Sequence, residues 1–160
     1  MRCCLRVILQ VLGTIYLAFF RIALLLVGYH SVRIGNCRFW GPPDFITLAE
    51  GAMDLIRRED SGLFEMLRND GGWFWYHPSK LVESGFTGTF SVTDSYKCFG
   101  VQGIAARLVW AHHKLMFFRG VLFLPSERQV MVGRQSQVKT LCRAWLANHQ
   151  FPEKLIQTFS

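Results

Sequence analysis

Two adjacent histidines and a more distant glutamate are the side chains of this sequence that best fit a chemical site. His112 and His113 lie in an apolar stretch, and Glu127 follows them. Imidazole and carboxylate groups bind zinc, and a zinc-bound water is the nucleophile of many metal-dependent hydrolases. Neighbouring helical residues point about 100° apart, so the two imidazoles do not easily chelate one ion. A surface or core-edge histidine pair is therefore the competing interpretation.

The residues around this pair resemble the metal-binding helix of a known family. Residues 104–114 read IAARLVWAHHK, and an earlier helix-like stretch over 52–60 reads AMDLIRRED. With an apolar N-terminal segment and short strands in between, this layout resembles small bacterial membrane-anchored zincin-like proteins. The resemblance implies an L-V-H-E-x-x-H helix with two histidine ligands and a catalytic glutamate, followed by a helix that carries a third, glutamate ligand.

The chain departs from this pattern at the positions that carry the chemistry. The first histidine of the motif falls on Trp110, the glutamate on Ala111 and the second histidine on Lys114. Only Glu127 has a suitable side chain, as the third ligand. Tryptophan, alanine and a lysine ammonium neither bind Zn²⁺ nor deprotonate water. The resemblance therefore implies a non-catalytic relative with no cofactor. A divergent metal-dependent hydrolase that binds zinc through the two histidines and Glu127 is the alternative.

Other chemical motifs are incomplete. The sequence has no Gly-x-Ser-x-Gly nucleophile elbow and no complete phosphate-binding loop. The aromatic run 73–76 with Lys80 can stack nucleobases, although such runs beside Gly-Gly more often fill a small core. The five cysteines are an odd number without a C-x-x-C pair, so no disulfide framework or zinc knuckle is indicated. Cys3 and Cys4 are candidates for acylation, with free thiols as the alternative.

An apolar N-terminal stretch is the strongest architectural signal. Residues 7–29 read VILQVLGTIYLAFFRIALLLVGY, with Gln10 and Arg21 as the strong polar interruptions. This stretch is long enough to cross a hydrocarbon core of about 30 Å as a helix. It predicts a single-pass membrane protein whose first partner is lipid. A cleaved signal peptide and a buried core helix are the alternatives, and the flanking arginines leave the orientation open.

The rest of the chain predicts one small domain. We expect a basic flank over residues 1–6, a transmembrane helix over 7–29, a juxtamembrane linker over 30–43 and a soluble α+β domain over 44–160. Hydrophobic residues make up 51% of the chain, which argues against disorder. The predicted fold class is α+β, helix-dominated, with a few short strands.

The spacing of apolar residues and the positions of capping residues, glycine and proline predict the helices and strands. Asp44 is a good N-cap for an amphipathic helix that includes Phe45 and Ile56, and a second helix over 61–68 stops at the Asp-Gly-Gly of residues 70–72. An aromatic strand over 73–76, extended structure over 86–93 and a helix over 101–118 come next. Ser126 and Gln129 form a capping-box pair for a helix that runs to Asn148. A hairpin of 121–124 with 129–132 competes with that helix, and a last helical turn spans 152–159.

The net charge of +7 is unevenly distributed. Residues 1–38 carry five arginines and no acid, residues 39–96 have a balance of −5, and residues 97–160 have a balance of +7. Our leading hypothesis is a non-catalytic, membrane-anchored interaction domain whose basic C-terminal half faces anionic headgroups or a protein partner. A solvated basic face without a partner and nucleic-acid binding are the alternatives. The residues of the predicted basic surface are Arg107, Lys114, Arg119, Arg128, Arg134, Lys139 and Arg143.

Overall fold

The computed structural model describes residues 19, 22–78, 88–122 and 128–159, with the backbone alone for 118–122 and 128–135. The chain divides into two compact units, residues 1–30 and 31–160.

In the first unit, the described residues form a helical segment that ends in a Schellman motif. The Tyr29 amide donates to the Leu24 carbonyl oxygen (2.8 Å), and the Gly28 amide donates to that of Leu25 (3.1 Å). Gly28 adopts a φ of 79°, which a residue without a Cβ accepts at low cost. This glycine therefore ends the helix.

The second unit is a small α+β domain, as predicted. Its strands form one sheet in the order β1-β2-β3-β4, with β3 parallel to both β2 and β4. The two-residue turn at Gly35 and Asn36 makes β1 antiparallel to β2, because parallel strands need a longer connection. In chain order the elements are β1 (His30–Ile34), β2 (Cys37–Gly41), α1 (Pro43–Glu59), α2 (Ser61–Asp70), β3 (Gly72–Tyr76), β4 (Thr89–Val92), α3 (Asp94–Lys97), α4 (Gly100–Leu122), α5 (Arg128–Asn148) and α6 (Glu153–Gln157).

Three phenylalanines, one from each parallel strand, form the sheet side of the core. Phe39 and Phe74 are paired in register with ring centroids 5.1 Å apart, and Phe74 and Phe90 follow at 5.7 Å. Helices α1, α2 and α4 pack around this ladder. Their fully buried side chains supply the other half of the core, among them Phe45, Ala49, Met53, Ile56, Leu67, Ile104 and Leu108.

Residues 30–43, expected to be a juxtamembrane linker, instead contribute β1 and β2 to the sheet. Strand β2 reads CRFWG and is mostly buried on both faces, so it lacks the polar-apolar alternation that marks a half-exposed strand. Gly35 makes the connecting turn possible: its φ is 61°, and a Cβ there would lie 2.7 Å from the Arg68 carbonyl oxygen. Close packing against α2 therefore requires glycine at this turn.

Helix α1 begins slightly earlier than predicted. Pro42 is its N-cap residue and Pro43 occupies its first turn, where the missing amide hydrogen is not needed. Asp44, the expected N-cap, lies inside that turn and makes an ion pair with Lys97 of α3 (2.5 Å). The N-cap prediction for Asp44 is therefore wrong, and the proline at the start of the helix accounts for the earlier beginning.

The C-terminal half is helical, as predicted. Residues 121–122 belong to α4 and residues 128–132 to α5, so the competing hairpin is not formed. Helix α5 ends at Asn148 as expected, and Pro152 is the N-cap residue of α6. The predicted capping residue Ser126 lies outside the described residues.

Candidate functional site

The predicted metal ligands on α4 are placed in different surroundings. His112 is buried, with Nδ1 3.9 Å from the carboxylate of Asp70. His113 is half-buried, and its Nδ1 lies 2.8 Å from the carbonyl oxygen of Val109 one turn earlier. The two rings lie edge to face, 5.7 Å apart. Glu127 lies outside the described residues, and among those that are described no three His, Cys, Asp or Glu side chains are grouped to hold a metal.

The thiol of Cys37 is influenced by Asp70, the same carboxylate that lies near His112. Its Sγ donates to the Leu67 carbonyl oxygen (3.2 Å), and burial, followed by the charge of Asp70, raises its pKa to about 12. A thiol with so high a pKa stays protonated at neutral pH, and the thiolate is the nucleophilic form. This arrangement therefore favours a structural role for Cys37.

Trp110 lies between two cations of its own helix. The Arg107 guanidinium carbon lies 4.3 Å from the centroid of Trp110, and Lys114 Nζ lies 4.4 Å from it. These residues precede and follow Trp110 by one turn, so cation–π contacts cover its ring. Arg107, Trp110 and Lys114 thus form a packed stack on α4.

Arg107 was expected on a basic surface but is only 2% exposed. Its Nε donates to the Ser91 carbonyl oxygen (2.9 Å), and its guanidinium also lies over Tyr96 at 5.1 Å. Burial lowers its pKa to about 9, which leaves it charged at neutral pH. Arg107 therefore leaves the predicted surface and acts inside the domain.

The remaining members of the predicted basic surface are only partly described. Lys139 and Arg143 lie one turn apart on α5 and are exposed, whereas Leu141, two residues from each, is 55% exposed on another side of the helix. Lys114 is half-buried against Trp110. The side chains that fall outside the described part are those of Arg119, Arg128 and Arg134, and Cys3 and Cys4 also fall outside it.

The face of the sheet opposite the core carries a second aromatic cluster, in which Trp73 and Trp75 of the aromatic run join Arg38 and Trp40, a grouping that the sequence did not predict. Trp40 of β2 stacks on Trp75 of β3 with centroids 5.4 Å apart and planes 9° apart. Arg38 lies over the ring of Trp73, 5.2 Å from its centroid. Trp40 and Trp75 are buried but are not part of the main core cluster. The two pairs 38/40 and 73/75 have the spacing of one strand face, which is the signal that could have placed them.

Four polar side chains meet where the parallel strands end. Tyr76, at the end of β3, donates its hydroxyl hydrogen to Asp94 of α3 (2.5 Å). Lys97 pairs with Asp44 and lies over the Tyr76 ring at 4.6 Å. The hydrogen bond with Lys97 lowers the pKa of Asp44, and the same bond raises that of Lys97. Since these groups satisfy one another, we assign the cluster to joining α1, β3 and α3.

The described residues of the first unit expose a series of large apolar side chains. Leu25 is 60% and Leu26 is 83% exposed, and the others are Phe19, Ile22 and Val27. Most of the predicted span over 7–29 lies outside the described residues. Within the described ranges, no helix has the length and apolar character needed to cross a membrane.

We compared the chain with models of known protein families, with curated proteins and with solved structures, and none of the three comparisons gives a match.

Proposed function

We propose that this chain is a membrane-anchored, non-catalytic interaction domain, held in lipid by an N-terminal helix over residues 7–29. The single observation that carries this proposal is the exposure of consecutive large apolar side chains, including Leu25, Leu26 and Val27, on the helical segment that ends at Gly28. Contact with lipid removes such surface from water, which stabilises by about 1.5–3 kcal/mol for each large side chain that becomes fully buried.

The non-catalytic character is supported by the residues of α4. Trp110, Ala111 and Lys114 occupy the positions at which the zincin motif has its two histidines and its glutamate. Trp110 and Lys114 contact each other in a cation–π pair. Packing interactions thus occupy the positions where that family has its reacting groups.

The proposed interaction surface is the exposed side of α5 that carries Lys139 and Arg143, one turn apart. Basic residues next to a membrane are attracted to anionic headgroups by about 1 kcal/mol each, within a Debye length of the surface. The expected partner is therefore a negatively charged surface, and an anionic bilayer is the nearest one to an anchored domain.

The anchor is tested by placing charge on its exposed positions in the full chain. We expect the wild type to float with membranes on a density gradient after alkaline carbonate treatment. Leu25→Asp combined with Leu26→Asp should reduce the floating fraction severalfold, because two favourable apolar side chains are replaced by carboxylates that membrane helices disfavour. Met66→Asp with Met116→Asp, two residues that are also about half exposed, is the matched control and should still float.

Release of the wild type by carbonate, or equal flotation of the leucine and methionine variants, would reject the anchor. Flotation also separates membrane insertion from aggregation, because aggregates sediment.

The basic surface is tested separately in nanodiscs. The full chain is reconstituted in phosphatidylcholine alone or with added phosphatidylglycerol. A soluble amine-reactive ester then acylates Lys139, and mass spectrometry follows the rate of this acylation. We expect slower acylation with phosphatidylglycerol, and the difference should disappear at high salt because exposed charges are then screened. The same rate in both lipids would reject the anionic bilayer as the partner while leaving the anchor intact.

A further inference from the structure

The indole N–H of Trp40 is buried on the sheet face opposite the core. Trp40 is 4% exposed, and its Nε1 has no hydrogen-bond partner among the described residues. A buried donor that loses its water partners is unfavourable, and native structures seldom leave one unmatched. An acceptor from outside the chain would satisfy this donor.

A second donor lies on the same face of the same strand. Arg38 precedes Trp40 by two residues, so both side chains point to the face opposite Phe39. The guanidinium of Arg38 lies over Trp73 and, within the described part of the chain, forms no ion pair. Arg38 is half-buried whereas Trp40 is fully buried, which places the cation nearer to solvent and the indole N–H deeper.

The surroundings of these donors are aromatic. Trp75 stacks on Trp40, and Trp73 lies 6.1 Å from Trp75 between ring centroids. Indole rings supply large apolar contact area, while a guanidinium is suited to binding the planar or tetrahedral oxygens of carboxylate and phosphate. The cluster thus combines an oxyanion-binding group, a deeper hydrogen-bond donor and apolar side chains.

We infer that the face formed by Arg38, Trp40, Trp73 and Trp75 binds an anionic amphiphile. Its oxyanion pairs with Arg38, an acceptor oxygen nearer its apolar body accepts from Trp40 Nε1, and the apolar body lies against Trp73, the half-buried indole of the cluster. An acidic phospholipid has this order of groups, with a phosphate, then ester carbonyls, then acyl chains. The site lies in the folded domain and does not depend on the anchor.

The test uses the full chain labelled with ¹⁵N-tryptophan in neutral detergent, and follows the five indole N–H resonances by NMR. The Trp40 resonance is the one that Trp40→Phe removes. Titration with short-chain dihexanoyl phosphatidic acid should shift this resonance downfield as the hydrogen bond forms. The resonance of Trp145, whose N–H already donates to Asp60 (3.0 Å), should stay in place.

Matched ligands and variants separate the contributions. Dihexanoyl phosphatidylcholine carries the same chains on a zwitterionic headgroup, and inorganic phosphate carries the charge without chains; we expect both to bind more weakly than dihexanoyl phosphatidic acid. Arg38→Gln should weaken phosphatidic acid binding about tenfold, since charge-assisted bonds are the strong ones. Arg33→Gln, an exposed arginine of β1, should leave it unchanged.

No shift of the Trp40 resonance at saturating phosphatidic acid would overturn the inference. So would equal binding of phosphatidic acid and phosphatidylcholine, or unchanged affinity in Arg38→Gln. Equal binding of inorganic phosphate would also contradict it, because the indole rings would then contribute nothing. Trp40→Phe keeps an aromatic side chain at this position and removes the donor, so it should also bind more weakly than the wild type while keeping the other four resonances.

Discussion

Arg107 of α4 donates from Nε to the main-chain oxygen of Ser91 in β4, across 2.9 Å. The carbonyls of Gly88 and Val92 accept from the amides of Trp73 in β3 and of His77, which directly follows β3. Successive carbonyls of a strand point to opposite sides, so that of Ser91 points away from β3 and is not satisfied by the sheet. One buried guanidinium therefore satisfies a carbonyl at the outer side of β4.

Replacement of Arg107 should destabilise the domain strongly. Arg107→Met keeps much of the apolar stem but leaves the Ser91 carbonyl without its donor, and we expect a loss of about 2–4 kcal/mol. The measurement is the midpoint of urea unfolding in neutral detergent. Arg143→Met removes an exposed arginine and should cost less than about 0.5 kcal/mol. Similar midpoints for both variants would show that the bond to Ser91 contributes little.

Trp145 connects α5 to the start of α2 through a charged acceptor. Its Nε1 donates to Oδ2 of Asp60, and the other carboxylate oxygen of Asp60 accepts from the Leu63 amide as the N-cap of α2. A hydrogen bond to a charged group stabilises by about 1.5–3 kcal/mol. Trp145→Phe should therefore lower the free energy of unfolding by about 2 kcal/mol at pH 7.

The hydrogen bond between Trp145 and Asp60 also predicts that its contribution to the free energy of unfolding depends on pH. The Leu63 amide, followed by Trp145, lowers the pKa of Asp60 below its ordinary 3.8. A carboxyl whose folded pKa is lowered stabilises fully above the unfolded pKa and loses this effect as pH falls through the folded pKa. The difference between wild type and Trp145→Phe should therefore be constant from pH 7 to about 5 and shrink below about pH 4. A difference that grows on acidification would contradict this assignment.

Gly103 allows α4 to pass close to the segment before it. A Cβ at this position would overlap the carbonyl oxygen of Tyr96 and lie 2.9 Å from the Cβ of Phe99. Because main-chain atoms cannot move aside cheaply, Gly103→Ala should cost about 1–3 kcal/mol despite the better helix propensity of alanine. In Gly62→Ala the nearest described atom would lie at 3.5 Å, so this control should be neutral or slightly stabilising. Thermal unfolding of both variants tests the contrast.

The described cysteines should differ sharply in reactivity. Cys98 is exposed, whereas burial raises the pKa of both Cys37 and Cys142 to about 12. Since the thiolate is the reactive form, a maleimide should modify Cys98 within minutes at pH 7 and reach the other two only after unfolding. Peptide mapping after a timed reaction measures this, with Cys98→Ser as the control. Rapid labelling of Cys142 in the folded protein would be inconsistent with the α4–α5 packing.

The sequence correctly predicted the helices and strands that depend only on residues close together in the chain. The aromatic run at residues 73–76 forms β3, and the Asp-Gly-Gly sequence ends α2, with Gly71 at a φ of 74°. The apolar spacing that begins at Phe45 correctly marks the inner face of α1. These predictions succeed because propensity, spacing and glycine conformation act within a few residues.

Site residues were harder to predict because their roles depend on distant contacts. Arginine usually lies on the protein surface, yet Arg107 is surrounded by Ser91, Tyr96 and Trp110. Nothing in the local sequence pairs Arg107 with a strand carbonyl sixteen residues earlier. Likewise, His112 and His113 are adjacent in sequence but face different groups, because a helix turns neighbours apart.

The sequence by itself determined an α+β domain rich in helix, the approximate bounds of most helices and the aromatic strand, since these follow from short-range periodicity. Only the tertiary structure decided that residues 30–41 join the sheet, that Arg107 is internal and that Arg38 and Trp40 share a face with Trp73 and Trp75. Strand pairing and burial depend on contacts between residues far apart in the chain, and a pattern read along one segment does not contain that information.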